Sequence, residues 1–143
     1  MLFALALEYV DDKLAALREF HRVLRPGGAL VLSRLHPTGD WLRHGGNYFA
    51  PRVIEETWSR GWQLKYWLEP LEKTCEDLHR AGFLIERLVE PRPTPPAAKI
   101  DQDKYDRLCR EPTGFLAIRA VPDPRGTPVV NTTPGQRSDA GTL

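Results

Sequence analysis

Cysteine is scarce: Cys75 and Cys109 are the only two in 143 residues, and they lie far apart. That excludes a disulfide framework, and two scattered thiols read as reduced, partly buried side chains of a cytoplasmic protein. Excess charge of either sign is also missing. Twenty Lys and Arg face 19 Asp and Glu, for a net charge of +1, and the basic residues are dispersed. This argues against a nucleic-acid surface and against binding to an anionic membrane. No apolar run approaches the roughly 20 residues of a membrane span. The first ten residues have neither a basic n-region nor a small-residue cleavage site, so no signal peptide is expected. A G-x-S-x-G nucleophile turn is absent, and LEYVDD follows the first apolar run where a nicotinamide-binding fold needs a Gly-rich turn.

What is present begins at once. Met1–Pro37 reads MLFALALEYV, DDKLAALREFHRVL, RPGGALVLSRLHP. The periodicity gives strand, helix and strand, one right-handed βαβ crossover of a parallel sheet. The first run, Met1 to Val10, is apolar up to Glu8, as in a strand buried on both faces. The helix is expected from Asp12 to Leu24, capped by Asp11 or Asp12, with Leu14, Leu17, Phe20, Val23 and Leu24 on its inner face. Pro26 and Gly27 stop it, and Gly27-Gly28 lets the chain reverse into a strand Ala29–Leu35.

Residues 38–68 form an irregular, aromatic-rich insert containing Trp41, Tyr48, Phe49, Trp58, Trp62, Tyr66 and Trp67. Pro51 predicts a short helix to about Trp58. A segment leaving the C-terminal end of a parallel strand is where open α/β sheets place ligand-covering loops. Tyr48 and Trp58 are accordingly candidates for a substrate-covering wall, although packing of a small subdomain explains such aromatics as well. Pro70 opens a second helix, with Leu71, Thr74, Cys75, Leu78 and Ala81 inward and Gly82 at its end. Phe83–Val89 reads as a strand, 91–96 as a stiff extended connector, Asp101–Arg110 as a helix and Gly114–Val121 as the last strand. After Val121 the composition turns to Pro, Gly, Thr, Ser and Asn, so 122–143 is expected to be a disordered tail on a domain spanning 1–121.

Taken together, Leu7-Glu8-Tyr9-Val10-Asp11, Arg22-Val23-Leu24-Arg25-Pro26-Gly27-Gly28 and PLEKTCEDLHRAGFLIERLVEP resemble the second half of a class I S-adenosylmethionine-dependent methyltransferase of the type 11 group. The resemblance covers about Met1–Val121. It implies an α/β, partial Rossmann-like sheet of the family's strands four to seven, in the order 4-5-7-6, with strand seven antiparallel. It also implies S-adenosylmethionine as cofactor and, with the uncharged aromatic insert, a small-molecule methyl acceptor. The family's Gly-rich turn after strand one and the acidic residue ending strand two have no counterpart here. Gly27-Gly28 does not replace them, because it ends a helix and presents no helix N-terminus to a ligand.

By position in the motif, Ala4, Leu5 and Ala6 would lie beside the methionine part of the cofactor, with Tyr9 as a wall of the same cleft. His36, at the end of strand five, would face the substrate. Methyl transfer needs in-line positioning and in some cases a base, for which His36 and Tyr48 are the candidates. His36, Asp40 and His44 do not follow a recognised metal-ligand spacing, and no metal is expected. Adjacent Glu55 and Glu56 would point to different faces and do not form a glycosidase pair. The competing expectation is a catalytically inactive remnant, or an accessory or split subunit. Such a chain would be completed by a complementary polypeptide, or by self-association, through the open edge of the first strand.

Overall fold

The computed structural model describes residues 1–59, 61–112 and 114–126. A four-stranded sheet is built from β1 (Leu2–Ala4), β2 (Leu30–Leu35), β5 (Phe83–Val89) and β6 (Phe115–Pro122), in the spatial order β1-β2-β6-β5. β1 and β2 are parallel, with Leu2 opposite Val31. β6 runs antiparallel to both its neighbours, with Leu30 opposite Ala120 and Leu35 opposite Phe115. This is the strand order and the single reversed strand that the family resemblance implies.

Helix α1 (Lys13–Val23) carries the crossover between β1 and β2. Asp12 caps it by accepting the Ala15 N–H at 2.9 Å, which satisfies one of the free donors at a helix start. At its other end Gly27 adopts φ +71, and a Cβ on Gly28 would lie 2.8 Å from the Arg25 carbonyl oxygen. The Pro-Gly-Gly turn therefore tolerates no larger residue in its second half. Helix α3 (Leu71–Arg80) returns the chain to β5, and Gly82 follows at φ +88, close against His21 of α1.

The core lies on one face of this sheet. Leu30 and Leu32 of β2, Leu116, Ile118 and Ala120 of β6, and Phe83 of β5 meet Leu17 of α1 and Leu78 of α3. Burial of each such Leu or Phe side chain contributes about 1.5–3 kcal/mol. The alternate residues point to the opposite face, where Leu2 is 73% and Val31 39% exposed. Strand periodicity of two thus yields one helix-covered face and one open face.

The structure corrects four local expectations. β1 ends at Ala4 and Leu7–Tyr9 forms a 3-10 turn, because Glu8 is buried away from any ladder position and Leu5 takes φ +50. The insert is a helix, α2 (Pro37–His44), followed by an antiparallel hairpin of β3 (Arg52–Thr57) and β4 (Gln63–Leu68). The helix expected over Pro51–Trp58 is therefore a strand. Val53, Ile54 and Thr57 are β-branched, and pairing with β4 outweighs the helix-starting preference of proline. Pro95–Lys99 forms a 3-10 turn within the expected extended connector, leading into α4 (Gln102–Arg110). Finally, Pro122 belongs to β6, and Asp123 donates its N–H to the Gly82 carbonyl at 2.8 Å. The rest of the expected tail, 127–143, lies outside the described residues.

Candidate functional site

The C-terminal ends of β1 and β2 lie side by side, and both turn sharply there. Leu5 keeps one last bond to β2, its N–H to the Ser33 carbonyl at 2.8 Å, while its own φ is +50. A left-handed conformation at a leucine costs roughly 1–2 kcal/mol. It persists because the following turn drives Leu7 and Glu8 inward and leaves Tyr9 outside, 41% exposed. Ala4, Leu5 and Tyr9 are exposed and Ala6 partly so, and together they form an accessible rim at the end of β1.

His36 ends β2 and caps α2. Its Nδ1 accepts the Thr38 N–H at 3.2 Å, and Nε2 lies 3.0 Å from Glu90 Oε1. An Nδ1 that accepts carries no proton, so Nε2–H donates to Glu90. Both ring nitrogens are committed and the side chain is buried. Tyr48 Oη accepts the Leu71 N–H at 3.1 Å, at the start of α3, and its ring lies edge-on to Trp41 and Phe49. The recess beside Tyr48, between Pro37, Trp41 and Glu69, holds about 10 Å³. That is room for roughly one water molecule. Trp58 stands at the tip of the β3–β4 hairpin, 44% exposed, with Nε1 donating to Glu56 at 2.5 Å. Tyr9 and the Ala4–Ala6 rim are brought together, while Trp58 and His36 lie on separate elements.

Beneath the rim lies a group of buried charges that sequence reasoning missed. Arg34, on the core face of β2, donates through Nη1 to Thr74 Oγ1 at 2.5 Å. Lys13 pairs with Glu69 at 3.2 Å and donates to the Val10 carbonyl at 2.9 Å. Lys73 pairs with Asp77, which is fully buried. Glu8 and Asp40 are also buried, and each keeps one oxygen without a partner among the described residues. Burial pushes the Asp40 carboxyl up to about 6, Arg34 and Arg43 pull it down, and Glu8 adds to the rise. Burial of a charge without a full set of partners is costly. Among the described residues Arg34 Nε and Nη2 likewise have no partner, and the bond to Thr74 is what ties this arginine of β2 to α3.

The hairpin is held over this point by polar contacts. Tyr66 Oη lies 3.0 Å from His44 Nε2, its ring sits 6.0 Å from that of Tyr9, and Trp67 Nε1 donates to Asp11 at 3.0 Å. Burial, with the charge and hydrogen bond of Glu56, pushes the Tyr66 phenol up to about 12. Burial also holds His44 below its usual range, helped by Arg43. Among the described residues no group of three His, Cys, Asp or Glu is placed to hold a metal ion, and no helix is long and apolar enough to cross a membrane.

Comparison with known folds decides the architecture. An S-adenosylmethionine-dependent methyltransferase of Mesorhizobium loti superposes with a TM-score of 0.58 at 26% identity, covering 83% of this chain and 59% of its own. A Listeria monocytogenes protein assigned as an S-adenosylmethionine-dependent methyltransferase gives 0.70 at 23%, covering 85% and 60%. The fold is that of a class I methyltransferase. In agreement, the profile of a methyltransferase domain family matches residues 1–32, from β1 through the Pro-Gly-Gly turn into β2. The glycopeptide N-methyltransferase MtfA, in its complex with S-adenosylmethionine, shares the same methyltransferase fold at 14% identity, with a TM-score of 0.52 over 84% of this chain and 52% of its own. No curated protein matches the chain. The chain spans about 60% of the length of the first two of these structures.

Proposed function

We propose that this chain forms part of an S-adenosylmethionine-dependent methyltransferase acting on a small molecule, in the cytoplasm. The observation that carries the reading is the rim Ala4–Leu5–Ala6 with Tyr9, at the C-terminal ends of parallel strands in a methyltransferase fold. The rim suits the methionine end of the cofactor as one wall. Alanine at positions 4 and 6 leaves its backbone approachable, and Tyr9 is exposed beside it. When bound, S-adenosylmethionine supplies a methyl group activated by its sulfonium.

The work of the protein's own residues is chiefly positional. Ala4, Leu5 and Ala6 hold the cofactor wall, and Tyr9 backs it. His36, expected as a base, acts instead by fixing the start of α2, since neither nitrogen is free. Tyr48 holds the N-terminus of α3 against the insert. Trp58 and the hairpin tip serve as cover for an acceptor. Methyl transfer here proceeds without a base from either His36 or Tyr48.

Calorimetric titration with S-adenosylhomocysteine tests this directly. One-to-one binding that is lost in Ala4→Trp, which fills the rim, is the expected result. A folded chain with no binding overturns a self-sufficient site. A second reading then applies, favoured by the exposed outer edge and open face at β1. In it the chain is a remnant or a split subunit completed by another polypeptide or a second copy, and light scattering after mixing reports the assembly.

A further inference from the structure

A groove of about 530 Å³ opens at the same end of the sheet, between α2 and α4. Its size suits a small ligand. The floor is apolar: Leu35 of β2, Phe115 of β6 and Leu42 of α2, the last two 49% and 57% exposed. The walls are cationic, with Arg43 from α2 and Lys104 and Arg107 from α4. Arg43 is already paired with Glu56 at 3.1 Å. Lys104 and Arg107 have no ion-pair partner among the described residues, and their i, i+3 spacing sets them on one helix face. Glu111 is the acidic residue of the lining, and Asp101 and Asp103 share a separate hollow with the same two cations.

We propose that this groove seats the acceptor and selects a small amphipathic carboxylate. The carboxylate meets the Arg107 fork and Lys104, and the apolar body lies along Leu35, Leu42 and Phe115. An unpaired guanidinium above an apolar floor recognises such a molecule by two independent features. The fork accepts a carboxylate in bidentate geometry, and the floor gains from covering exposed carbon. That the ligand is the methyl acceptor rests on the methyltransferase reading; that the groove binds an amphipathic acid does not.

The test titrates the full chain with 3-phenylpropionate and with 3-phenylpropan-1-ol, followed by amide shifts in NMR. The acid is expected to bind at about 1 mM or tighter, shifting the amides of Leu42, Leu108 and Phe115. The alcohol is expected to bind about tenfold more weakly. Lys104→Gln with Arg107→Gln, at two exposed positions on α4 where the melting curve should not change, should bring acid and alcohol to equal affinity. Equal affinity in the unaltered chain, shifts centred elsewhere, or no saturation overturns the proposal. The S-adenosylhomocysteine titration is read separately. Acid binding without cofactor binding supports the groove and removes its acceptor role; cofactor binding without acid binding overturns the groove alone.

Discussion

Arg34 and Thr74, 40 residues apart in sequence and both fully buried, are joined by a hydrogen bond of 2.5 Å from Nη1 to Oγ1. The bond fastens α3 to the centre of the sheet at the depth where Glu8 and Asp40 are also enclosed. Thr74→Val leaves a buried guanidinium N–H without its acceptor and should cost about 1.5–3 kcal/mol. Arg34→Met removes the Thr74 bond and the positive charge that offsets the enclosed Asp40 carboxyl, and should cost about 1–3 kcal/mol. Urea unfolding measures both. An Arg34→Met chain as stable as the parent would mean that the carboxylates do not depend on it.

Asp40 makes stability depend on pH in a defined direction. Its carboxyl is raised from 3.8 to about 6, chiefly by burial. Between those values the folded chain holds a proton that the unfolded chain has lost, so this group's contribution to stability falls as pH rises from 4 to 6. Asp40→Asn should flatten that part of the profile and stabilise the chain at pH 7 by about 1–2 kcal/mol. An unchanged slope in the variant would place the titration elsewhere.

Tyr66 should ionise late, since its phenol is pushed up to about 12. Ultraviolet difference absorbance should show a late-titrating phenol that disappears in Tyr66→Phe. The same substitution strands His44 and Glu56 and should lower stability by about 1–2 kcal/mol. If the late phenol persists in the variant, the hairpin does not enclose Tyr66.

In its neutral form His36 should be the Nε2–H tautomer, visible in its ring nitrogen shifts. His36→Asn keeps a helix-capping acceptor for the Thr38 N–H and should lose less stability than His36→Ala, which should cost about 1 kcal/mol. Glu90→Gln should leave α2 in place. A mixed tautomer population would show that the contact to the Thr38 N–H is not held in solution.

Much of the sheet was legible because its information is local. LVLSRL and GFLAIRAV carry their own periodicity, and Asp12, Pro26 and Gly27 punctuate α1 where a physical reading puts them. The hairpin was not, since Pro51 before Val53 and Ile54 carries a helix signal and a strand signal at once, and only β4 decides between them. The rim at Ala4 to Tyr9 came from its place in a motif; the left-handed Leu5 inside it leaves no mark in composition. Arg34 is the clearest case of what local reading misses. An arginine in an apolar strand carries no local sign of burial, yet Arg34 is fully enclosed and its hydrogen-bond partner Thr74 arrives from α3. The groove cations lie on α4, where Lys104 and Arg107 look like an ordinary solvated face until β6 and α2 bring an apolar floor beneath them.

All four tryptophans, at 41, 58, 62 and 67, lie in α2, the hairpin and its turn, and none is in the four-stranded sheet or its covering helices. The chain therefore carries a built-in division of optical labour. Its intrinsic fluorescence reports the insert, and its far-ultraviolet dichroism is dominated by the helices and the sheet. If the hairpin opens before the core melts, emission will shift to the red at a lower temperature than ellipticity is lost. Coincident curves would make the two lobes one cooperative unit, coupled through contacts such as Trp67 with Asp11.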